Sequence, residues 1–319
     1  MGGKAFTHLK PPLWTPRLSP TLYHSLRTKY LALLSTFYNQ VATPLEAPEK
    51  PSYGDIDILV ASPLSANPPT PLGTALAART SLTHPSSPIA SYALPHPLLA
   101  HAYVQLDIHV CSAATFAFEV FRQSHGDLWS ILGSSMRMVG LTATNSGLHL
   151  RIPEIDAFDR KQSLLHLTSD PDAVLDFLGL DRCSRWRVFN SVDEMFLYAA
   201  SAPFFRREAY VRERMRAKDR KRVAQRELYR RFVEEWVPRM TGGGEETVEA
   251  EGWKREGVLG RALDVFGKRG EYEKRLGEWR AERRELGVKR HRNEARRANA
   301  VAEVEYADAW IRQLRREKS

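Results

Sequence analysis

The sequence predicts an α+β protein: a small mixed or antiparallel sheet with flanking helices, followed by an all-helical, basic C-terminal region. Three observations predict it. The segments GDIDILV (54–60) and VQLDIHV (104–110) are short, apolar and β-branched, and read as strands. Leu22, Leu26, Tyr30, Leu33, Leu34 and Phe37 recur at helical spacing ahead of them. Beyond residue 203 only helical patterns remain, and the charge changes. Of the 47 Lys+Arg and 38 Asp+Glu in the chain, 32 and 22 fall in residues 203–319, a net of +10 that leaves −1 for residues 1–202.

The elements follow in order. Residues 1–18 are irregular. Ser19 as cap and Pro20 in the first turn open a helix over 19–43. A Pro-containing loop at 46–53 leads into the strand at 55–60, and the Pro/Ser-rich stretch 62–74 is a surface loop. A short Ala-rich helix is expected at 73–80. The strand at 91–94 pairs with 102–111. Helices follow over 113–122 and after Gly126-Asp127. Next comes a hairpin, 141–144 with 148–152, joined by Asn145-Ser146-Gly147. Residues 167–181 form a helix with Ser169 or Asp170 as N-cap, Pro171 in the first turn and Gly179 as the stop. Tyr229, Phe232, Val233, Trp236 and Val237 make one apolar stripe, and Tyr272, Leu276 and Trp279 another. Gly242-Gly243-Gly244 reads as a connector, and 289–317 as a long charged helix. The division expected is a first domain over 1–165 and a helical basic domain over 166–319.

Composition excludes several classes. At 43% hydrophobic and 27% charged residues, the chain is ordinary for a globular protein. No apolar run approaches the roughly 18 residues of a membrane helix. The N-terminus lacks a signal-peptide apolar region, and Phe6 stands where a myristoylation motif needs Ser or Thr. Cys111 and Cys183 form neither a metal-spacing motif nor a disulfide framework, so a reducing intracellular compartment, cytoplasmic or nuclear, is expected. Cys111 reads as a buried, inert thiol.

The chemistry concentrates in Asp55, Asp57 and Asp107. Asp55 and Asp57 are two apart and share a strand face. Asp107 sits between Leu106 and Ile108. Carboxylates gathered in apolar surroundings repel one another unless a divalent cation lies between them. The set suits two Mg²⁺ (or Mn²⁺) ions and a nucleoside triphosphate. Asp55 and Asp57 would bridge the ions. Asp107 would hold the nucleophile side and accept its proton. Gly2-Gly3 offers amides that approach phosphate closely, with Lys4 as an added cation.

The order GG, helix, G-D-h-D-h strand, then a distant h-D-h strand resembles the DNA polymerase beta-like nucleotidyltransferase superfamily. Poly(A) polymerases, CCA-adding enzymes and oligoadenylate synthetases belong to it. GDLWSILGSSMRMVGLTATNSGLHLRI and LTSDPDAVLDFLGLD also look like uncharacterised nucleotidyltransferase-like proteins of fungi and large viruses. The resemblance spans roughly residues 1–200. It implies Asp55, Asp57 and Asp107 as metal ligands and Gly2-Gly3 as the phosphate-binding turn. The separation between GG and Asp-x-Asp is longer than usual, and members usually carry a strand ahead of the glycines.

Several residues carry two readings. Gly2-Gly3-Lys4 is a phosphate turn or a frayed terminus. His109, on the face of Asp107, contacts nucleotide or packs. Asp127 reads as a helix cap rather than a catalytic group. The run 204–222 holds nine basic residues with Phe204, Phe205 and Tyr210, a pattern for single-stranded nucleic acid or for a solvated helix face. KRHRNEARR (289–297) reads as an RNA contact, an import signal or an exposed helix. The expected activity is metal-dependent transfer of a nucleoside monophosphate from an NTP to a hydroxyl, with an RNA 3′ end as first-choice acceptor. The alternatives are a protein or small-molecule acceptor, or a nucleic-acid-binding protein that has lost turnover.

Overall fold

A computed structural model describes residues 3–85, 87–240, 252–285 and 294 of the protein. Gly2, the glycine connector at 242–244 and nearly all of 289–317 lie outside the described residues. The fold is α+β. A five-stranded mixed sheet comes first, then a three-stranded antiparallel sheet, and every element described after residue 203 is helical.

The first sheet has the order β1-β2-β5-β4-β3, from Tyr38–Ala42 (β1), Ile56–Pro63 (β2), Thr80–Thr83 (β3), Ile89–Pro95 (β4) and Tyr103–Val110 (β5). β2 and β5 are parallel, and the other pairs are antiparallel. Alternation along the strands sends Ile56, Ile58 and Val60 of β2, with Leu106 and Ile108 of β5, to one face. There they pack with Tyr23, Leu26, Tyr30 and Leu34 of α1 (Pro20–Leu34). The opposite face carries Asp57, Gln105, Asp107 and His109.

Helix α1 starts as expected, with Ser19 Oγ accepting from Leu22 N and Pro20 in the first turn. It stops well short of residue 43. Ser35 Oγ donates to Leu31 O at 2.9 Å and Thr36 Oγ1 to Leu33 O at 2.7 Å, so hydroxyls take the last helical carbonyls. The chain then turns and adds β1 to the edge of the sheet. The Ala-rich helix is only Leu72–Ala75 (α2), because Thr80–Thr83 pairs with β4 instead of continuing it.

The second core runs from Phe118 to Leu276. It joins α3 (Phe116–Gln123), α4 (Leu128–Met136), the hairpin β6 (Leu141–Thr144) and β7 (Gly147–Arg151), α5 (Pro153–Asp156) and β8 (Leu164–Thr168). α6 (Pro171–Leu178), α7 (Val192–Ala200), α8 (Ala217–Gln225) and α9 (Glu227–Arg230) follow. α9 runs through a π-helical turn, Arg231–Trp236, into α10 (Val237–Arg239), then come α11 (Arg255–Val265) and a helix over 269–285, α12. The hairpin stands where its turn chemistry places it. β8 completes the sheet by pairing with β7, and residue 165 lies within that strand. Asp170 caps α6 by accepting from Asp172 N, and Gly179 ends it at φ 66°. Both apolar stripes of the C-terminal region join this core. The two cores meet at Leu45, whose carbonyl accepts from His125 N at 2.6 Å and whose amide donates to Ser124 Oγ at 3.0 Å. No helix among the described residues is long and apolar enough to cross a membrane.

Candidate functional site

Parallel pairing of β2 with β5 sets Asp57 directly opposite Asp107, and Leu59 opposite His109. Asp55 immediately precedes β2, two residues before Asp57. Antiparallel pairing with β4 brings Ser91 opposite Asp107. The sheet therefore gathers the three carboxylates on the face turned away from α1.

Their electrostatics follow from that placement. Burial, then the charges of Asp57 and Asp107, push the Asp55 carboxyl up to about 6, against a smaller pull from Lys50. Asp107 is also raised, chiefly by burial and further by Asp57. Ser91, Gln105 and His109 favour its charged form. Gln105 Nε2 donates to Asp107 Oδ2 at 2.8 Å, while Oδ1 is buried with no hydrogen-bond partner. Ser91 acts on the carboxylate without closing a hydrogen bond to that oxygen. His109 Nε2 lies 3.0 Å from Asp57 Oδ1.

The N-terminal segment docks beside the aspartates. Gly3 is buried, and its amide donates to Gly54 O at 2.6 Å, one residue before Asp55. Its carbonyl accepts from Thr15 Oγ1 at 2.7 Å. Gln105 Oε1 accepts from Ala5 N at 2.9 Å, so one side chain ties this segment to Asp107. A Cβ on Gly3 would lie only 2.8 Å from the Gln105 Cβ. Glycine is required by this close approach. Lys4 is exposed just after it.

Lys50 is a second cation near Asp55. It donates to Glu46 Oε2 at 2.5 Å and lies 4.9 Å from the Tyr53 ring, while Tyr23 stacks on Tyr53 at 3.7 Å and donates to Glu46. Beside it a cleft of about 570 Å³ is lined by Arg17, Lys50, Ser52, Gly126, Arg226 and Leu228. Arg226 donates to Asp127 Oδ1 at 2.6 Å. Asp127 does sit at the N-cap of α4, but its side chain is drawn to Arg226 and makes no capping bond.

Sequence reasoning missed Gln105, Ser91 and Lys50. Gln105, Asp107 and His109 are alternate polar residues on an apolar strand, a signal that could have exposed Gln105. Ser91 needs the β4–β5 register, and Lys50 sits in a loop with no pattern. Burial, with Glu119 nearby, pushes the Cys111 thiol up to about 12, which keeps it protonated and inert.

The donor chemistry fits a hard divalent cation: three carboxylates, two of them raised by burial and mutual charge, and one buried oxygen without a partner. Their oxygens are not drawn into one shell. Among the described residues, no three His, Cys, Asp or Glu side chains are grouped closely enough to hold an ion.

No protein-family model and no curated protein sequence matches the chain. Among solved structures, it is similar to Leishmania infantum polymerase beta in a ternary P/T complex. Identity there is 11% and the TM-score 0.39, covering 53% of this chain and 76% of that one. The same polymerase in a ternary gap complex gives 11% identity and a TM-score of 0.38, covering 53% of this chain and 70% of that one.

Proposed function

We propose that the chain is a nucleotidyltransferase that moves a nucleoside monophosphate from an NTP to a hydroxyl acceptor, an RNA 3′ end first among them. The observation that carries this reading is the Asp57–Asp107 opposition across β2–β5, with Asp55 on the same edge. Asp55, Asp57 and Asp107 would hold two Mg²⁺ or Mn²⁺ ions, which when bound supply charge compensation for the triphosphate and acidify the acceptor hydroxyl. Asp107, with its raised affinity for protons, accepts the hydroxyl proton. The acceptor oxygen forms a bond to the α-phosphorus, and the bond from that phosphorus to pyrophosphate breaks. Gln105 fixes the Asp107 carboxylate through Oδ2 and leaves Oδ1 open.

Gly2, Gly3 and Lys4 are assigned to the triphosphate, with Lys50 as an added cation. A phosphate reaches the Gly3 amide only by displacing Gly54 O. The surplus of basic residues beyond 203 supports a polyanionic acceptor. A domain division into 1–165 and 166–319, and kinship with the fungal and viral branch of the superfamily, are part of the same reading.

The rival reading is a nucleic-acid-binding protein of this fold without turnover. It is favoured by Asp57 engaging His109 while no three ligands converge. Incubation with labelled NTPs, Mg²⁺ or Mn²⁺, and either RNA, total protein or small hydroxyl compounds separates them. Label should enter RNA, and Asp55→Ala with Asp57→Ala should abolish it while circular dichroism stays unchanged. Label in protein instead moves the acceptor. No transfer to any acceptor rejects the enzyme.

A further inference from the structure

A second cavity, of about 610 Å³, lies in the second core between the loop after α5 and the start of α8, away from the aspartate face of the first sheet. It is lined by Asp156, Asp159, Arg160, Lys161, Arg216 and Arg255 among others. Both acids are engaged within the protein. Asp156 Oδ1 accepts from Arg151 Nη1 at 3.1 Å, and its Oδ2 from Arg255 Nη2 at 2.9 Å. Asp159 Oδ1 accepts the backbone amides of Lys161 at 2.8 Å and Gln162 at 2.9 Å, closing the turn. Three cations are left over. Among the described residues no acid pairs with Arg160, Lys161 or Arg216. Burial and the neighbouring Arg137, Arg160 and Arg151 lower the pKa of Arg216, with Asp156 opposing. Positive charge has been concentrated here without a protein counterion.

The rim adds an aromatic surface. Phe158 lines the same cavity and is 62% exposed, an unusual state for a phenylalanine. Its ring lies 5.5 Å from Trp279, and the Arg283 guanidinium sits 4.0 Å from its centroid. Uncompensated cations beside an exposed aromatic ring make the combination that grips a phosphate and stacks the neighbouring base. A free inorganic anion would use only the first part.

We propose that this cavity binds single-stranded nucleic acid, with Arg160, Lys161 and Arg216 on a backbone phosphate and Phe158 under an adjacent base. It deepens the reading of a nucleic-acid acceptor by naming where the strand is held.

The test is binding of a labelled single-stranded RNA oligonucleotide to the full chain, by fluorescence anisotropy across a salt series, without metal or NTP. Arg160→Ala with Lys161→Ala and Arg216→Ala should lower the slope of log K against log salt by about 2, at roughly 0.7 per phosphate contact. Phe158→Ala should weaken binding about fivefold or more with the slope unchanged, the range of one lost base stack. A control, Lys10→Ala with Lys29→Ala and Arg79→Ala, removes the same charge from exposed positions on the first unit and should leave the slope nearly intact. Arg216→Lys should retain the slope. Equal slopes for the cavity and control variants overturn the proposal. So does an inert Phe158→Ala combined with full competition by inorganic pyrophosphate, which marks a site for free anions only. Transfer assays are run separately. RNA binding that fails in the cavity variant of a chain without NMP transfer leaves the cavity standing and rejects the enzyme. Unchanged RNA binding in a chain that does transfer NMP rejects the cavity and leaves the enzyme.

Discussion

Asp57 and Asp107 face each other as direct partners in the parallel β2–β5 ladder, on a strand pair whose other face is fully apolar. A sheet has no structural need for this pairing. Like charges directly opposite destabilise a ladder, and burial makes each carboxylate costlier. The arrangement is sensible only where something positive compensates it, and functional sites are where such local violations collect.

The pH dependence of stability should report that compensation. Asp55 titrates in the folded protein at about 6, against an ordinary 3.8. A group whose folded pKa is raised binds its proton more tightly when folded. Its contribution to stability is therefore full below about pH 4 and is lost as pH rises through about 6. Metal-free protein should show a falling Tm over that window, against whatever the remaining groups contribute. Asp55→Asn should remove this component. Mg²⁺ or Mn²⁺ should raise Tm more at pH 7 than at pH 5, because ligands must be deprotonated to bind. An equal metal effect at both values would contradict a carboxylate site.

Gly3→Ala tests the docking of the N-terminal segment. The added Cβ meets the Gln105 side chain, including its Cβ at 2.8 Å, so the clash is not with a flexible tip alone. Gln105 must shift, which loosens its bonds to Ala5 N and Asp107 Oδ2. A destabilisation of about 1–3 kcal/mol is expected by urea titration, the scale of overpacking a filled site. Transfer activity should fall as well. Adding Gln105→Ala should give less than the sum of the two single effects, since the residues touch. Strict additivity would show that the contact is not made.

Much of this site was legible because strands write their faces into sequence. Asp55-x-Asp57 and the run Gln105-x-Asp107-x-His109 break apolar alternation on one face only. The sheet and its central pair follow from that pattern. β1 was not legible, because Phe37 prolongs the helical spacing of α1 while Ser35 and Thr36 end the helix through side-chain bonds. β8 was not legible either, since its identity depends on pairing with β7, a tertiary fact. Asp127 illustrates the same limit. Position alone makes it a cap, and only the fold brings Arg226 to it from 99 residues away.

The basic run 204–222 is docked as well as charged, and Asp219 should show it. Asp219 is 2% exposed on α8, accepting from Arg137 of the second core and from Arg222 Nη1 at 2.6 Å. Removing one partner of a buried pair strands the other charge. Asp219→Ala should cost about 3–5 kcal/mol in urea unfolding. Asp219→Ala with Arg137→Met should recover part of it. A loss under about 1 kcal/mol would return this helix to a solvated face.

His109 decides how Asp57 meets a cation. Its Nε2 lies 3.0 Å from Asp57 Oδ1, and the imidazole side chain is 16% exposed against 45% for the aspartate. A donor on one carboxylate oxygen orients the carboxylate and leaves the other oxygen available, the usual service of an outer partner to a metal ligand. Were His109 instead a competitor for Asp57, its loss would free a ligand. The two cases move metal affinity in opposite directions. His109→Ala should weaken Mn²⁺ binding about tenfold, read by calorimetry at pH 7.5, and His109→Gln, which retains a donor, should restore part of the loss. Tighter Mn²⁺ binding in His109→Ala would show that the imidazole blocks the site rather than builds it.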